Sequence, residues 1–150
     1  MKRHPAFVEL SRDHHDGLLL ATRLQQGSKA LLKLWSHDPK WQAEFVVSFF
    51  REDLVKHFRL EEEILFPEIE RAHGGSVSIV KELRDDHQEL RRLARSLERG
   101  DAPGLERTLA GFGRLLERHI RREERELFPE CERTLSPDVL EDLGRRMNIK

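Results

Sequence analysis

Two stretches of the chain decide its fold: HFRLEEEILFPEIER at residues 57–71 and HIRREERELFPECER at residues 119–133. Each begins with a histidine that is followed four positions later by a glutamate, and each continues through Leu-Phe-Pro to Glu-x-Glu-Arg. A separation of four positions places two side chains on the same face of an α-helix, about 6 Å apart along its axis. We therefore predict two helices that each present a histidine and a glutamate on one side.

A second repeat precedes each of these stretches. The segment LSRDH at residues 10–14 aligns without gaps with LRDDH at residues 83–87, so that His14 and His87 occupy equivalent places. The related segments follow one another in the order A-B-A′-B′, which predicts two similar halves packed as one helical bundle. Because strand patterns are absent throughout the sequence, the predicted fold class is all-α.

Apolar residues recur at spacings of three and four in the segments that contain the histidines, and this spacing marks the inward face of a helix. The predicted inward residues are Phe7, Leu10, His14, Leu18, Ala21, Leu24 and Leu31 in the first helix, Phe45, Phe49, Leu54, His57, Glu61, Ile64 and Leu65 in the second, and Leu105, Leu109, Phe112, Leu116, His119 and Glu123 in the fourth.

Capping residues, glycines and prolines set the predicted helix ends. The second helix is predicted from Asp38-Pro39 to Gly74-Gly75, the third from near Ser76 or Ser78 to Gly100, the fourth from just after Asp101-Ala102-Pro103, and a short fifth from Ser136-Pro137. Pro67 and Pro129 should each kink or stop a helix one to two turns beyond its glutamate. Val139, Leu140 and Leu143 of the fifth helix would cap the bundle or form a dimer contact, and we expect the cap.

The composition limits the classes of function. A length of 150 residues suits one domain over residues 1–150 without a tail. Charged residues make up 37% of the chain, yet the formal net charge is -1, which argues against binding to nucleic acid or to an anionic membrane. No apolar run could cross a bilayer and no signal-peptide core follows Met1, so a cytoplasmic location is expected.

The ligand atoms available to a metal are nitrogen and oxygen. Cys131 is the only cysteine, which excludes an internal disulfide and a thiolate-rich zinc or iron–sulfur site. Six residues on the predicted inward faces offer nitrogen and oxygen instead: His14, His57, Glu61, His87, His119 and Glu123. Such a donor set suits iron or manganese and is able to take zinc.

A structural role for these six residues has to be weighed against metal binding. A single histidine on an apolar face is more often a hydrogen-bonded core residue than a ligand, and a single histidine–glutamate pair can be purely structural. Burying six ionisable groups in one bundle is costly, however, unless positive charge neutralises the carboxylates and uses the imidazole lone pairs. The repetition of the pattern therefore favours a metal site.

The order H…HxxxE…H…HxxxE, with Leu-Phe-Pro after each HxxxE, resembles the hemerythrin-like (HHE cation-binding) family over essentially the whole chain. The resemblance implies an up-down-up-down four-helix bundle, here followed by the short C-terminal helix. It also implies two iron ions in a non-haem di-iron centre, bridged by two carboxylates and by an oxo or hydroxo group. Carried onto this chain, it assigns His14 and His57 to one iron, His87 and His119 to the other, and Glu61 and Glu123 to the bridges.

The chain departs from the oxygen-carrying hemerythrins at one place. Those proteins have a further histidine one turn after the ligand equivalent to His87, where this chain has Arg91. His15 is the nearest candidate for another imidazole, but it is turned about 100° from His14 on the helix, and the repeat aligns His14 with His87. If His15 were the ligand in place of His14, the inward face would instead contain Val8, Leu19 and Thr22. The departure therefore points away from simple oxygen carriage.

Other ionisable residues lie close to the predicted ligands. Glu62 and Glu124 repeat in both halves and are either solvated or hydrogen-bonded to a ligand imidazole. His4, His37 and His73 fall near predicted helix ends and are assigned no role.

The expected function is the binding of, or reaction with, a small oxidant such as dioxygen, peroxide or nitric oxide. The alternative is an iron-handling or iron- and oxygen-sensing protein that acts without turnover. In either case a redox or signalling partner would be a separate chain. The sequence leaves open whether the protein is an enzyme.

Overall fold

The computed structural model describes residues 3–26, 35–75, 77–100 and 103–148, and these form an up-down-up-down four-helix bundle closed at one end by a short fifth helix. None of the described residues lies in a strand. No helix among them has the length and hydropathy needed to span a membrane. Leu31, Ser76, Asp101 and Ala102, which entered the predictions above, lie outside the described residues.

Two of the four long helical runs, the second and the fourth, contain π-helical turns as well as α-helix. The elements after a 3₁₀ turn at Pro5–Phe7 are α1 (Val8–Gln26); α2 (Pro39–Phe49), π1 (Phe50–Leu54), α3 (Val55–Leu60), π2 (Glu61–Leu65) and α4 (Phe66–Ala72); α5 (Ser78–Glu98); α6 (Leu105–Arg122), π3 (Glu123–Leu127) and α7 (Phe128–Thr134); and α8 (Pro137–Met147). The second run therefore extends from α2 to α4, and the fourth from α6 to α7.

Most predicted helix starts agree with the structure. The Asp38 side chain accepts a hydrogen bond from the Lys40 N–H at 3.1 Å, and the Ser136 hydroxyl accepts one from the Val139 N–H at 3.2 Å. These are N-cap bonds that satisfy otherwise unpaired amides of the first helical turn. The third long helix, α5, begins at Ser78 as predicted but ends at Glu98, before the predicted Gly100.

Pro67 and Pro129 do not stop their helices, contrary to one outcome predicted for them. Helix α4 continues to Ala72 and α7 continues to Thr134. A proline ring in a regular helix would clash with the carbonyl four residues earlier. The wider π turns π2 and π3 end immediately before each Phe-Pro pair, so the chain has already departed from regular α geometry where the proline ring needs space.

Phe45 and Phe49 depart from the predicted inward stripe. Phe45 is 36% exposed and packs against Trp41, with ring centroids 5.5 Å apart, while Phe49 is half-buried and Val46 is fully buried. The turn π1 holds one residue more than an α turn, which rotates the face of α2 relative to His57 by about 100°. From the predicted stripes, Leu18, Ile64 and Leu105 are also only half-buried.

Close contact between α1 and α6 depends on glycine. A Cβ atom on Gly113 would lie 2.9 Å from both the Ala21 carbonyl oxygen and the Leu24 Cβ. These distances are shorter than real Cβ contacts, so the first and fourth helical runs approach each other at a place where only glycine fits. This approach sets the spacing of the two helices that carry His14 and His119.

Two apolar clusters form the core, one on each side of a layer of ionisable residues. One cluster contains Leu20, Ala21, Leu24, Trp35, Ala43, Val46, Leu54, Phe58, Leu90, Ala94, Leu97, Leu109, Phe112, Leu116 and Ile120. The other contains Ala6, Phe7, Leu10, Leu65, Phe66, Ile69, Val80, Leu83, Leu127, Phe128, Cys131, Leu135, Leu140, Leu143 and Met147. Because α8 contributes Leu140, Leu143 and Met147 to this second cluster, it caps the bundle as predicted.

Candidate metal centre

Every long helical run contributes side chains to the layer between the two apolar clusters. Helix α1 carries His14, the second run carries a histidine in α3 and a glutamate at the start of π2, α5 carries His87, and the fourth run repeats the pattern of the second. The side chains that meet there are the six predicted from the sequence: His14, His57, Glu61, His87, His119 and Glu123. Each is at most 3% exposed.

The two glutamates lie between the histidines of both halves. The His14 Nε2 atom is 2.8 Å from a Glu123 carboxylate oxygen, and the His87 Nε2 atom is 2.9 Å from one of Glu61. Within the HxxxE pairs, the corresponding distances are 3.4 Å from His57 to Glu61 and 3.5 Å from His119 to Glu123. Each glutamate therefore reaches a histidine on its own helix and one on another helix.

The contacts define two overlapping groups of ligand atoms, within each of which the atoms lie within 4.8 Å of one another. One group contains His14, His57, Glu61 and Glu123, and the other contains Glu61, His87 and His119. The pairing of His14 with His57, and of His87 with His119, is the one that the family resemblance implied.

A carboxylate outside the cluster holds the Nδ1 atom of each histidine. Glu124 lies 2.6 Å from His14 and Glu62 lies 2.6 Å from His87. The remaining pairs are Asp13 with His57 at 2.9 Å, and Asp86 with His119 at 3.1 Å. A carboxylate accepts the Nδ1 proton, so Nε2 is the nitrogen that each ring turns towards the centre.

Sequence reasoning missed two of these four carboxylates, Asp13 and Asp86. The available signal was the dipeptide Asp-His, which occurs at the equivalent positions 13–14 and 86–87. Each aspartate bonds to a histidine of a different helix, and not to the histidine that follows it in the sequence. The same arrangement occurs in both halves of the chain. For Glu62 and Glu124 the sequence allows either solvation or a hydrogen bond to a histidine, and in the structure both contact histidines of the cluster.

The electrostatics of the cluster favour positive charge. Burial opposes a charge on His57, but Glu61 and a hydrogen bond to Asp13 outweigh it and hold the pKa of His57 well above its ordinary value. The same competition, with Glu123 as the largest favourable contribution, raises the pKa of His119 to about 10. Burial opposes ionisation of Glu61, yet His57 draws the pKa of Glu61 well below its usual range. Glu61 thus stays ionised, and positive charge is favoured on the imidazoles around it.

Two features of the cluster are better explained by a bound metal ion than by protein groups alone. One carboxylate oxygen of Glu61 and one of Glu123 are buried and have no hydrogen-bond partner among the described residues. The Nε2 atoms of His87 and His119 lie 3.2 Å apart and face each other. Buried oxygens without partners and opposed imidazole nitrogens are unfavourable unless a cation lies between them. The nitrogen and oxygen donor set therefore fits bound transition-metal ions.

The repeated Leu-Phe-Pro sequence supports the ligand rings. Phe128 stacks on His14 with ring centroids 5.6 Å apart, and Phe66 stacks on His87 at the same distance. Phe58 covers another face of the His87 ring, at 3.8 Å. These aromatic rings are 0–1% exposed, so they keep the imidazoles of the cluster away from water.

Arg91 does not occupy a ligand position. It donates a hydrogen bond of 2.8 Å to Glu62 and lies over the Phe58 ring at 5.7 Å. Burial opposes ionisation of Glu62, but the bonds from His87 and Arg91 lower the pKa of Glu62 to about 2. The arginine therefore keeps the carboxylate that orients His87 ionised.

The other histidines lie outside the cluster. His15 is exposed, and Leu19 on the same side of α1 is 46% exposed, so the alternative inward face with His15 is wrong. The Nδ1 atom of His4 accepts a bond from the Ala6 N–H at 3.0 Å. His73 lies 2.9 Å from the Ile69 carbonyl oxygen.

A cavity of about 20 Å³ reaches the cluster from the surface between α1 and the second helical run. Its residues are Asp13, His14, Asp16, Phe49, Asp53, Leu54, His57, Phe58, Leu116, His119 and Ile120. Histidines of both groups therefore border the cavity, together with apolar side chains and three aspartates.

Comparison with known proteins supports the cation-binding interpretation. The family model described as the hemerythrin HHE cation binding domain matches residues 6–131. A curated protein named DNA nickase, from Nostoc sp. (strain PCC 7120 / SAG 25.82 / UTEX 2576), is 28% identical over 131 residues, which is 86% of this chain and 34% of the Nostoc protein. The chain thus spans about a third of the length of this relative. No solved structure matches the chain with significant similarity.

Proposed function

Because the chain belongs to the hemerythrin HHE cation-binding domain family, we propose that its buried cluster binds two iron ions, at which a small oxidant binds or reacts. The observation that carries the proposal is the convergence of four imidazole Nε2 atoms on two buried glutamates whose remaining oxygens have no partner. His14 and His57 would hold one ion, His87 and His119 the other, and Glu61 and Glu123 would reach both.

The number of protein ligands leaves room for an oxidant. Each ion would be held by two imidazoles and a share of two carboxylates, fewer donors than iron accepts. Two bound ferrous ions would supply the two electrons needed to reduce dioxygen to peroxide. Arg91 contributes no further nitrogen, since it is bonded to Glu62. Open positions favour reactivity over simple carriage.

The shape of the cavity supports a small oxidant as the ligand. Its volume of about 20 Å³ suits one water-sized molecule, such as dioxygen, peroxide or nitric oxide. Leu54, Phe58 and Leu116 give it apolar walls beside His57 and His119. Apolar walls exclude bulk water from the ligand histidines and leave space for a weakly polar diatomic molecule.

A second candidate is sensing of iron or oxygen through a partner, without turnover. The alignment with about a third of the longer Nostoc protein favours it, because a matching segment there is joined to further sequence. DNA nicking belongs to the name of that whole protein. It is not part of the proposal for this chain, whose formal net charge of -1 provides no broad positive field for DNA.

The metal centre is tested by the iron content of three glutamate variants. Protein is loaded with ferrous iron without oxygen, freed of excess metal and analysed for bound iron. Glu61→Ala and Glu123→Ala should each lose at least half of the two ions expected per chain, because each glutamate contacts both histidine pairs. Glu63→Ala removes an exposed carboxylate two positions away and should retain both ions. Equal iron content in all three variants would contradict the bridging assignment.

The same preparations test the reaction. The optical spectrum of the ferrous parent protein is recorded before and after exposure to air, and peroxide is then added. A reversible oxygenated spectrum would indicate binding, and consumption of many equivalents of peroxide per chain would indicate an enzyme. A spectrum that does not respond to dioxygen, peroxide or nitric oxide would contradict the oxidant proposal and favour iron sensing.

A further inference from the structure

The mouth of the cavity is acidic. Asp13 and Asp16 on α1 face Asp53 in π1 across it, and three buried histidines also line it: His14, His57 and His119. The three aspartates are exposed, and the histidines are at most 3% exposed. The cavity therefore connects surface carboxylates directly with buried ligand atoms.

The negative charge of this acidic mouth (Asp13, Asp16 and Asp53) is not neutralised by ion pairs. Asp16 and Asp53 make no hydrogen bond or ion pair with any residue that the structure describes, and Asp13 bonds only to His57. Burial, together with the nearby charges of Glu52, Asp13 and Asp16, raises the pKa of Asp53 against the opposing charge of Lys56. Such mutual repulsion destabilises a fold, so these charges call for an explanation other than stability.

The second half of the molecule lacks an equivalent mouth. The residue equivalent to Asp16, by the spacing from His14 and His87, is Glu89, which is paired with Arg92. The residue equivalent to Asp53, by the spacing from His57 and His119, is Leu115. Asp86, the equivalent of Asp13, lies 3.6 Å from Arg118. The bundle thus forms without these charges in one of its halves.

We propose that the acidic mouth is the passage through which divalent metal ions enter the buried centre. This inference rests on the proposed function, since it presupposes that the centre binds metal. A cleft lined by one sign of charge concentrates ions of the opposite sign and raises the rate of association. Exposed carboxylates also replace water around a hard cation step by step, before imidazole binds it.

The test separates the rate of metal binding from the amount bound. Metal-free protein is mixed rapidly with Co²⁺, whose absorption changes on entering a nitrogen and oxygen site, at low and at high salt. The test variant carries Asp16→Asn and Asp53→Asn together, and leaves Asp13 in place because it orients His57. Glu89→Gln serves as the matched control, since it removes an exposed carboxylate at the equivalent place in the other half.

The double variant should load roughly three- to tenfold more slowly than the parent at low salt, with the same final two Co²⁺ per chain, and the difference should shrink at high salt. Glu89→Gln should load at the parental rate. Equal loading rates for the parent and the double variant, or equal slowing by Glu89→Gln, would contradict the proposed entry passage. Neither result would contradict the metal centre itself. A parent protein that binds no Co²⁺ and no iron would overturn both proposals.

Discussion

Each histidine of the centre is held by a carboxylate on another helix. Asp13 of α1 binds His57 of α3, and Asp86 of α5 binds His119 of α6. Rotation of a ring away from the centre would break a hydrogen bond to a charged acceptor, a bond about twice as strong as one between neutral groups. The outer carboxylates therefore set the direction of the ligand nitrogens before any metal binds.

Glu62 offers a direct test of this role. Glu62→Gln should lower metal affinity roughly 10- to 100-fold, because an amide cannot accept from His87 and Arg91 as a carboxylate does. The matched control is Glu70→Gln: Glu70 accepts a bond of the same length, 2.8 Å, from Arg84 but contacts no ligand histidine. Competition with a chelator measures both affinities. Equal metal affinity in the two variants would mean that Glu62 does not orient His87 for metal binding.

The helices carry two features that sequence periodicity does not contain. The turns π2 and π3 begin at the two glutamates of the centre, and π1 rotates α2 relative to the ligand face. π turns of this kind are common at functional sites, where they change the direction of a side chain. The second feature is the close approach of α1 and α6 at a glycine.

Substitution of two glycines on α6 should move stability in opposite directions. Gly113→Ala should lower the free energy of unfolding by about 1–3 kcal/mol, because its Cβ would overlap the backbone of α1. Gly111→Ala meets only the Arg114 guanidinium at 3.9 Å, and should raise it by about 0.5–1 kcal/mol through helix propensity. Urea unfolding measures both. A neutral Gly113→Ala would show that the two helices can separate freely.

The molecule as a whole places a charged layer between two apolar clusters. The layer is stable only when its carboxylates are neutralised, and the groups that can do this are protons on the histidines or metal ions at the same nitrogens. The two cations compete, because an imidazole must be neutral to bind a metal. The stability of the bundle is therefore linked both to metal and to pH.

The chelated and iron-loaded proteins should respond to pH in opposite ways. In the chelated protein, Glu123 and the other carboxylates around His119 outweigh its burial and raise the pKa of His119 from 6.5 to about 10. The resulting stabilisation is complete below pH 6.5 and is lost as the pH rises from 6.5 to about 10. The raised pKa values of His14 and His57 act in the same direction. The iron-loaded protein should instead lose metal and stability as the pH falls through the range where histidine takes a proton.

Urea unfolding of both forms from about pH 5 to about pH 9 would check this linkage, because this range spans the ordinary pKa of histidine. At neutral pH the loaded form should also have the higher melting temperature, since a ligand that binds only the folded state stabilises it. Parallel pH curves, or equal melting temperatures for the two forms, would contradict a shared set of nitrogens for protons and metal.

The sequence by itself determined the all-α class, the two related halves, most helix starts and the six residues that meet at the centre. These follow from helical periodicity, capping residues and repeated motifs, which are local properties of the chain. Only the tertiary structure decided which side chains contact one another across helices: Asp13 and Asp86 bond to histidines of other helices, and Arg91 bonds to Glu62. It also decided that Val46 is buried where Phe45 was predicted to be, and that an acidic mouth opens on one side. Each of these depends on the rotation and spacing of whole helices relative to one another, which contacts far apart in the sequence fix.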